Sequence, residues 1–417
     1  MRIAWYRKVL APMFHLVCMT CGRTCGDMTV ANCPHDGGVL DLRYESAEIS
    51  LQPRLPGIWR YAARLPLTDP KHIVSLGEGD TPLLSSSQLG PGIRLPRLHF
   101  KNEGLNPTGS YKDRIASVGI SYLRQLGRRA WAATSSGNAG ASLAAYGARA
   151  GVDGYLFTLE RAPRAKIAQI MSYGPQVMSV KRLGFDPTVE KATWANIAAL
   201  CAANDWFMLI TARSNSPHAM EGAKTIAYEI CQQLHNEAPD VVYVPVGGGG
   251  LLSAVWKGFR EWRAAGYIDR LPRMVAVQPL GCDPITQAWE AGRPIEPLED
   301  CASAISGIIL TSPPDGDLVL RDLRESDGWA LSIPDEITYQ AQAELASREG
   351  LFVEPAAAIV WAAIKADRGS GRLRGDENVV GILTGIGFKD SVALGRMTAE
   401  VPLPMIEAEE ILHIQPR

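Results

Sequence analysis

Lys112 stands in the run Asn106-Pro107-Thr108-Gly109-Ser110-Tyr111-Lys112-Asp113-Arg114, where a primary amine is placed to do chemistry. Pro107 and Gly109 make a turn, Ser110 reads as a helix N-cap, and the helix continues through Ile115, Val118 and Ile120 toward Leu126. Lys112 then falls in the first turn, at the positive end of the helix dipole, which disfavours the ammonium and favours the free amine. A free amine near neutral pH is a nucleophile suited to Schiff-base formation with a carbonyl. On its own, a first-turn lysine is most often a solvated surface residue. Two turns further along set this one apart.

The first, Thr134-Ser135-Ser136-Gly137-Asn138-Ala139-Gly140, follows the apolar run Ala130 to Ala133 and precedes an alanine-rich helix ending at Ala150. The second, Gly247-Gly248-Gly249-Gly250, ends the buried-strand pattern Val241 to Val246 and opens a helix from Leu251 to Phe259. Each is strand, turn, helix N-terminus. That arrangement leaves backbone N–H groups unpaired, and glycines let an anion approach them closely. An amine with two anion nests meets the needs of an amino-acid enzyme that uses pyridoxal phosphate, one nest for the cofactor phosphate and one for the substrate carboxylate.

Further segments extend the pattern: Gly77-Glu78-Gly79-Asp80-Thr81-Pro82-Leu83, Glu354-Pro355-Ala356, and Leu383-Thr384-Gly385-Ile386-Gly387-Phe388-Lys389-Asp390. In this order, and over nearly the whole chain, they resemble threonine synthase and its relatives, the fold type II, tryptophan-synthase-like pyridoxal phosphate enzymes. The resemblance implies that Lys112 carries the cofactor and shuttles the substrate α-proton, and that Gly247, Gly248, Gly249 and Gly250 cradle the cofactor phosphate. It implies that Asn138 meets the hydroxyl of the cofactor ring. It also implies that Ser135, Ser136 and Gly137, with Asn138, take the substrate carboxylate, and that Thr384 faces the ring nitrogen. A neutral hydroxyl does not keep that nitrogen protonated as an aspartate would, so elimination and replacement at Cβ or Cγ fit better than transamination. Glu354 reads as structural, and Asp113 and Arg114 as braces of the lysine helix.

The implied reaction is that of threonine synthase, which releases phosphate from O-phosphohomoserine and adds water at Cβ. Two positions depart from the family pattern. Ala139 stands where relatives commonly have threonine or serine, and the tetraglycine is unbroken where they have an asparagine. Each removes a group that would hydrogen-bond the departing phosphate. A threonine/serine dehydratase or a β-replacement synthase (of the cysteine, cysteate or diaminopropionate type) on serine, threonine or an activated serine is therefore the alternative. A non-catalytic metabolite-binding relative is the remote one.

The elements that position these residues can also be read. From residue 98 to about 390, apolar runs alternate with helical patterns: Leu98 to Phe100, Ala130 to Thr134, Gly154 to Leu159, Gln176 to Val180, Trp206 to Thr211, Val241 to Val246, Met274 to Gln278 and Val379 to Thr384. This predicts an α/β fold of parallel sheets covered by helices, with ligands at the carboxyl ends of strands, where every motif above lies. The resemblance divides it into a zinc-ribbon-like segment (1–46), a large cofactor domain with a proline-rich arm (47–105 and 220–417), and a small mobile domain (106–219) carrying the lysine helix and the SSGN loop. Residues 50–75 hold Pro53, Pro56, Trp59, Tyr61, Pro66 and Pro70 and read as an arm lying on the body or on a neighbouring subunit.

Near the N-terminus, Cys18-Met-Thr-Cys21 followed by Cys33-Pro-His-Asp36-Gly-Gly has the outline of a zinc ribbon, with Asp36 where a fourth cysteine would stand. Structural zinc on Cys18, Cys21, Cys33 and Asp36, recruitment of His35 or Cys25, and a metal-free relic all remain open. The other four of 8 cysteines, Cys201, Cys231, Cys282 and Cys301, are scattered and read as reduced core thiols. The chain has 42 Lys+Arg against 44 Asp+Glu, which lacks the basic excess that a nucleic-acid or anionic membrane surface demands. Arg2, Arg7 and Lys8 precede a short apolar run, but Pro12 and His15 interrupt it and no small-residue cleavage site follows, so a secretion signal is not expected. The expectation is a cytoplasmic enzyme with a small amino-acid substrate, and the family implication is a homodimer.

Overall fold

Short apolar runs alternating with amphipathic stretches build two largely parallel sheets, a six-stranded and a four-stranded one, in the computed structural model, which describes residues 14–162, 164–184 and 186–414. The basic start of the chain, weighed above as a secretion signal, lies outside them. No helix among the described residues is long and apolar enough to cross a membrane.

The strands are β1 (Phe14–Cys18), β2 (Thr24–Cys25), β3 (Leu40–Tyr44), β4 (Leu83–Ser85), β5 (Leu98–Asn102), β6 (Ala130–Thr134) and β7 (Asp153–Thr158). They continue with β8 (Gln176–Ser179), β9 (Phe207–Met208), β10 (Val241–Pro245), β11 (Arg273–Pro279), β12 (Trp329–Ile333) and β13 (Val379–Leu383). The larger sheet runs β12-β11-β10-β13-β5-β4, parallel except for the antiparallel edge β4. Every residue of β10 and β13 is buried, as helices on both faces of a parallel sheet require. The smaller sheet, β8-β7-β6-β9, is wholly parallel. A third, antiparallel sheet, β2-β1-β3, forms the N-terminal ribbon.

Register explains why distant motifs meet. Tyr243 of β10 pairs with Gly381 of β13, and Leu383 of β13 pairs with Asn102 of β5. The three strands therefore end side by side, and the glycine turn, Thr384 and the turn into Lys112 all leave the sheet at one edge.

The lysine helix (Lys112–Gln125) begins differently from the expectation. Tyr111 already has helical dihedrals (φ −57°, ψ −17°) and no side chain caps it. Ser110 is held in a backbone bridge with Gly385, and its buried hydroxyl has no partner among the described residues, so it is not the N-cap. Asp113 reaches back instead and accepts the Thr108 N–H (2.6 Å), the Thr108 hydroxyl (2.6 Å) and the Ser142 hydroxyl (2.5 Å). Burial pushes its carboxyl up to about 6 although these bonds oppose it. The arm lies on the body, and specifically on this helix: the Trp59 indole donates to Ser117 (2.9 Å) and the Val74 N–H to Ser121 (2.8 Å).

Other expectations also shift. The strand placed over 206–211 narrows to Phe207–Met208, because the chain then turns into a loop closed by Ala212 N–H to Ile210 O (2.8 Å). Strand β12 was not anticipated. Cys282 and Cys301, read as free thiols, form a disulfide. The chain leaves β11, loops out and returns so that the Ala302 N–H donates to the Gly281 carbonyl (3.0 Å), which brings the two sulfurs together across 19 positions. Cys201 and Cys231 are buried free thiols.

His218 stacks on Tyr122 with ring centroids 4.2 Å apart, and its Nε2 is buried without a partner among the described residues. Burial brings its pKa down to about 4, against the pull of Glu221. The unfolded chain takes up this proton near pH 6.5 and the native chain does not. Stability is therefore lost as pH falls from about 6.5 toward 4, by about 2 kcal/mol between pH 7.5 and 5. Urea unfolding of wild type and His218→Phe at both pH values checks this: the variant keeps the stack and should lose about 2 kcal/mol less than wild type. Equal losses would refute it.

Candidate functional site

Lys112 enters the cleft from the start of its helix. Its Nζ donates to the Thr211 hydroxyl (2.8 Å) and lies 4.7 Å from the centre of the Tyr111 ring. The backbone around it is tied to the end of β13: Tyr111 N–H donates to the Thr384 carbonyl (3.0 Å) and Ile386 N–H to the Gly109 carbonyl (3.0 Å). The lysine and Thr384 are thereby fixed relative to each other through the main chain, not through flexible side chains.

Thr384 and Asn138 share a partner. The Asn138 Nδ2 donates to both carboxylate oxygens of Glu354 (3.1 Å each), and the Thr384 hydroxyl lies 3.5 Å from Glu354 Oε1. Glu354, read from sequence as structural, stands between the two residues that the resemblance assigns to the cofactor ring. Its own N–H donates to the Gly385 carbonyl (3.0 Å), which places the Glu-Pro-Ala segment beside the end of β13.

In the SSGN turn the hydroxyls of Ser135 and Ser136 accept backbone N–H groups. Ser135 accepts from Gly140 (3.0 Å) and Gly137 (3.3 Å), and Ser136 from Leu159 (3.0 Å). Each keeps its own O–H to donate to an incoming carboxylate. Gly137 opens the helix Asn138–Ala150 with no side chain of its own to cap it, so that the N–H groups ahead of Gly140, which Ser135 takes, face the turn.

The second turn is an uncapped helix start of the same kind, leading into Gly250–Ala264. Gly249 has φ +96°, and a Cβ there would lie 2.7 Å from the Asp315 carbonyl oxygen. A Cβ on Gly247 would lie 3.0 Å from Ile308 Cα, whereas one on Gly248 would meet only ordinary contacts at 3.4 Å and beyond. Glycine is therefore demanded by backbone conformation at 249, while a Cβ would be tight at 247 and tighter at 250, where it would lie 2.8 Å from Asp315 Oδ2 and Met220 Cε.

Two further residues at this edge escaped sequence reading. Thr211 follows strand β9, where the rule that ligands lie at carboxyl ends of strands points to it. Asp315 had no such signal. Its buried carboxylate accepts the N–H groups of Arg213 (2.6 Å) and Ser214 (2.9 Å), and its own N–H donates to the Gly248 carbonyl (2.9 Å). Burial raises its pKa while the Ser214 and Arg213 bonds oppose the rise. In the ribbon, Sγ of Cys18, Cys21 and Cys33 and a carboxylate oxygen of Asp36 all lie within 4.8 Å of one another.

A lysine amine that among the described residues meets a neutral hydroxyl and an aromatic ring but no carboxylate, and a glycine turn that Cβ atoms would obstruct, suit a phosphorylated aldehyde cofactor. Residues 74–385 match the family model described as pyridoxal-phosphate dependent enzyme. The chain is 38% identical to the threonine synthase of Methanocaldococcus jannaschii over 92% of this chain and 95% of that one. It is 36% identical to the threonine synthase of Methanosarcina acetivorans over 91% and 93% respectively. Maize serine racemase superposes with a TM-score of 0.65 at 23% identity, covering 77% of this chain and 92% of that one, which shows the shared fold. The chain thus belongs to the pyridoxal-phosphate-dependent enzymes of fold type II, as a lyase of their threonine synthase group.

Proposed function

We propose that this chain converts O-phosphohomoserine and water to threonine and phosphate. The observation that carries the reading is the near end-to-end likeness to threonine synthases. The Cγ–O bond breaks with its electron pair leaving on phosphate, one proton leaves Cβ and one is added to Cγ to make the methyl group, and the oxygen of water bonds to Cβ as water gives up a proton that the released phosphate takes. Pyridoxal phosphate, when bound, supplies an electron sink for the charge left by loss of the substrate's α-proton. Lys112 Nζ takes up and returns that proton, with the Thr211 hydroxyl orienting it. Gly247, Gly248, Gly249 and Gly250 hold the cofactor phosphate, and Asn138 and Thr384 hold its ring with Glu354 as their shared support. Ser135, Ser136 and Gly137, with Asn138, take the substrate carboxylate. Residues 106–219 act as the smaller, mobile body that closes on substrate and excludes water.

Ala139 and the unbroken tetraglycine favour a second reading, elimination or replacement on serine, threonine or an activated serine. Visible spectra taken before and after adding O-phosphohomoserine, with phosphate and threonine followed together, separate the two. A shifted band with matched release of both products supports threonine synthase. A band that ignores O-phosphohomoserine and responds to serine or threonine supports the alternative.

The cradle yields its own prediction. Gly249→Ala forces a side chain into a left-handed conformation, at about 1–2 kcal/mol, besides the contact with the Asp315 carbonyl. Fluorescence titration of the apoenzyme with pyridoxal phosphate should show affinity weakened about tenfold or more, and Gly248→Ala should be affected less.

In the ribbon, Cys18, Cys21, Cys33 and Asp36 form a donor set of three thiols and a carboxylate that suits tetrahedral zinc. Cys18 Sγ accepts the N–H groups of Thr20 and Cys21 (3.4 Å each), which favour its thiolate. Elemental analysis of protein purified without chelator should find about one zinc per chain. A small fraction of that would mark the ribbon as a metal-free cap. A cytoplasmic homodimer completes the proposal, supported by exposed apolar side chains at Phe388, Val392, Leu403, Met405 and Leu412 that suit cover by a second copy.

A further inference from the structure

The loop 211–216 holds the lysine amine through Thr211, and it is anchored from two directions. From within the body, Asp315 fixes the Arg213 and Ser214 N–H groups and is itself tied to Gly248. From outside, the N-terminal ribbon reaches the same two residues. Asn32 Nδ2 donates to the Ser214 carbonyl (2.9 Å), and Arg213 Nη1 donates to Asp41 Oδ1 (2.7 Å) on β3. Arg213 is 1% exposed, and a guanidinium so buried is held only where carboxylates meet it. Asp41 is one; Glu221, at 3.3 Å, is the other. Lys257 bonds Asp41 (2.7 Å), the Leu42 carbonyl (2.6 Å) and Glu221 (2.8 Å), so the ribbon is locked to the helices that carry Glu221 and Lys257. A ribbon serving only as a cap has no need to present a buried charge to one loop of the cleft.

We infer that the N-terminal ribbon is a working part of the catalytic site, with Asn32 and Asp41 as positioning residues that set the Thr211 loop against Lys112. The inference rests on reading Lys112 as the cofactor-bearing amine. Backbone clamped on both faces opens seldom, so the Arg213 and Ser214 amides are slow to exchange with solvent while both anchors hold. Releasing the outer anchor leaves Asp315 alone to hold them. Thr211, two residues away, then samples more positions, and the lysine amine loses its fixed acceptor.

The test compares wild-type holoenzyme with Asn32→Ala and Asp41→Asn by amide hydrogen exchange, steady-state kinetics and the visible spectrum of the bound cofactor. Asn32 is exposed, so its truncation threatens the fold little and carries the test alone where Asp41→Asn does not fold. In Asn32→Ala, exchange in a peptide spanning 210–216 should quicken about tenfold, with 241–260 unchanged. The kcat should fall about threefold or more at little-changed KM, the visible band should shift or weaken, and the metal content should equal that of wild type. Exchange over 210–216 within twofold of wild type in every folded variant would overturn the inference, whatever the turnover. A failure of the cofactor reading shows separately, as wild-type protein without a visible band, because the exchange measurement needs no cofactor.

Discussion

Lys112→Ala is expected to lower turnover by about a thousandfold or more and to remove the visible band of the bound cofactor, while the protein remains folded. The size of the effect comes from the double task of one atom. In the proposed reaction Nζ would both anchor the cofactor aldehyde and carry the substrate α-proton, and no other amine is bonded to Thr211 at the strand ends among the described residues. The survival of the fold comes from the surroundings. Lys112 makes no ion pair among the described residues, whereas the helix it opens is held by Asp113, by Arg114 and by the arm through Ser117 and Ser121. Removing the side chain forfeits one hydrogen bond to a neutral group, on the order of 1 kcal/mol. Absorbance, turnover and thermal unfolding of the variant decide the matter. Turnover within tenfold of wild type would remove Lys112 from its role, and loss of folded structure would show that the helix start had been misread.

Lys112, Asn138, the tetraglycine and Thr384 could be located in the sequence because each sits in a strand-turn-helix or strand-end pattern that is written locally. For Lys112, the tetraglycine and Thr384 the convergence was legible too, since parallel strands in one sheet must present their carboxyl ends to a common edge, whereas Asn138 follows a strand of the other sheet and its approach to them was not. Contacts that depend on partners far along the chain could not be read. Glu354 meets Asn138 across more than 200 positions. Asp315 meets Ser214 across about 100, with no pattern of its own. Ser110 has the chemistry of a cap, yet the backbone bridge to Gly385 decides its conformation, and an aspartate inside the helix reaches back to hold the preceding turn at Thr108. The Cys282–Cys301 pair was hidden for the same reason: the loop between them is returned by bonds to distant partners, Ala302 to Gly281 and Ser303 and Ala304 to Asp335. Local pattern locates the groups proposed to contact small ligands, and tertiary closure selects the groups that hold those in place.

Arg114→Met carries the largest expected cost in stability. The guanidinium is fully buried and meets Glu103 through Nε (2.7 Å) and Nη2 (2.8 Å), and Glu229 through Nη1 and Nη2 (2.7 Å each). Thr225 (3.0 Å) and Thr81 (3.2 Å) complete its hydrogen bonds. Lys101 neutralises Glu229 in part (2.7 Å), but Glu103 has no other cation bonded to it among the described residues. Methionine fills similar volume and leaves Glu103 as an uncompensated buried carboxylate, so the cost is not packing but desolvated charge, about 3–5 kcal/mol. That is a large share of the roughly 5–15 kcal/mol that a folded protein has in reserve. The cause can be separated from a packing defect by adding Glu103→Gln. If unpaired charge is responsible, the double variant recovers part of the loss, and the measured coupling between the two sites is about 1–3 kcal/mol. Strictly additive losses in urea unfolding would instead assign the effect to shape. Because Arg114 is two residues from Lys112 on the same helix, the single variant should also weaken cofactor binding under conditions where it is still folded, and the double variant should restore part of that affinity along with the stability.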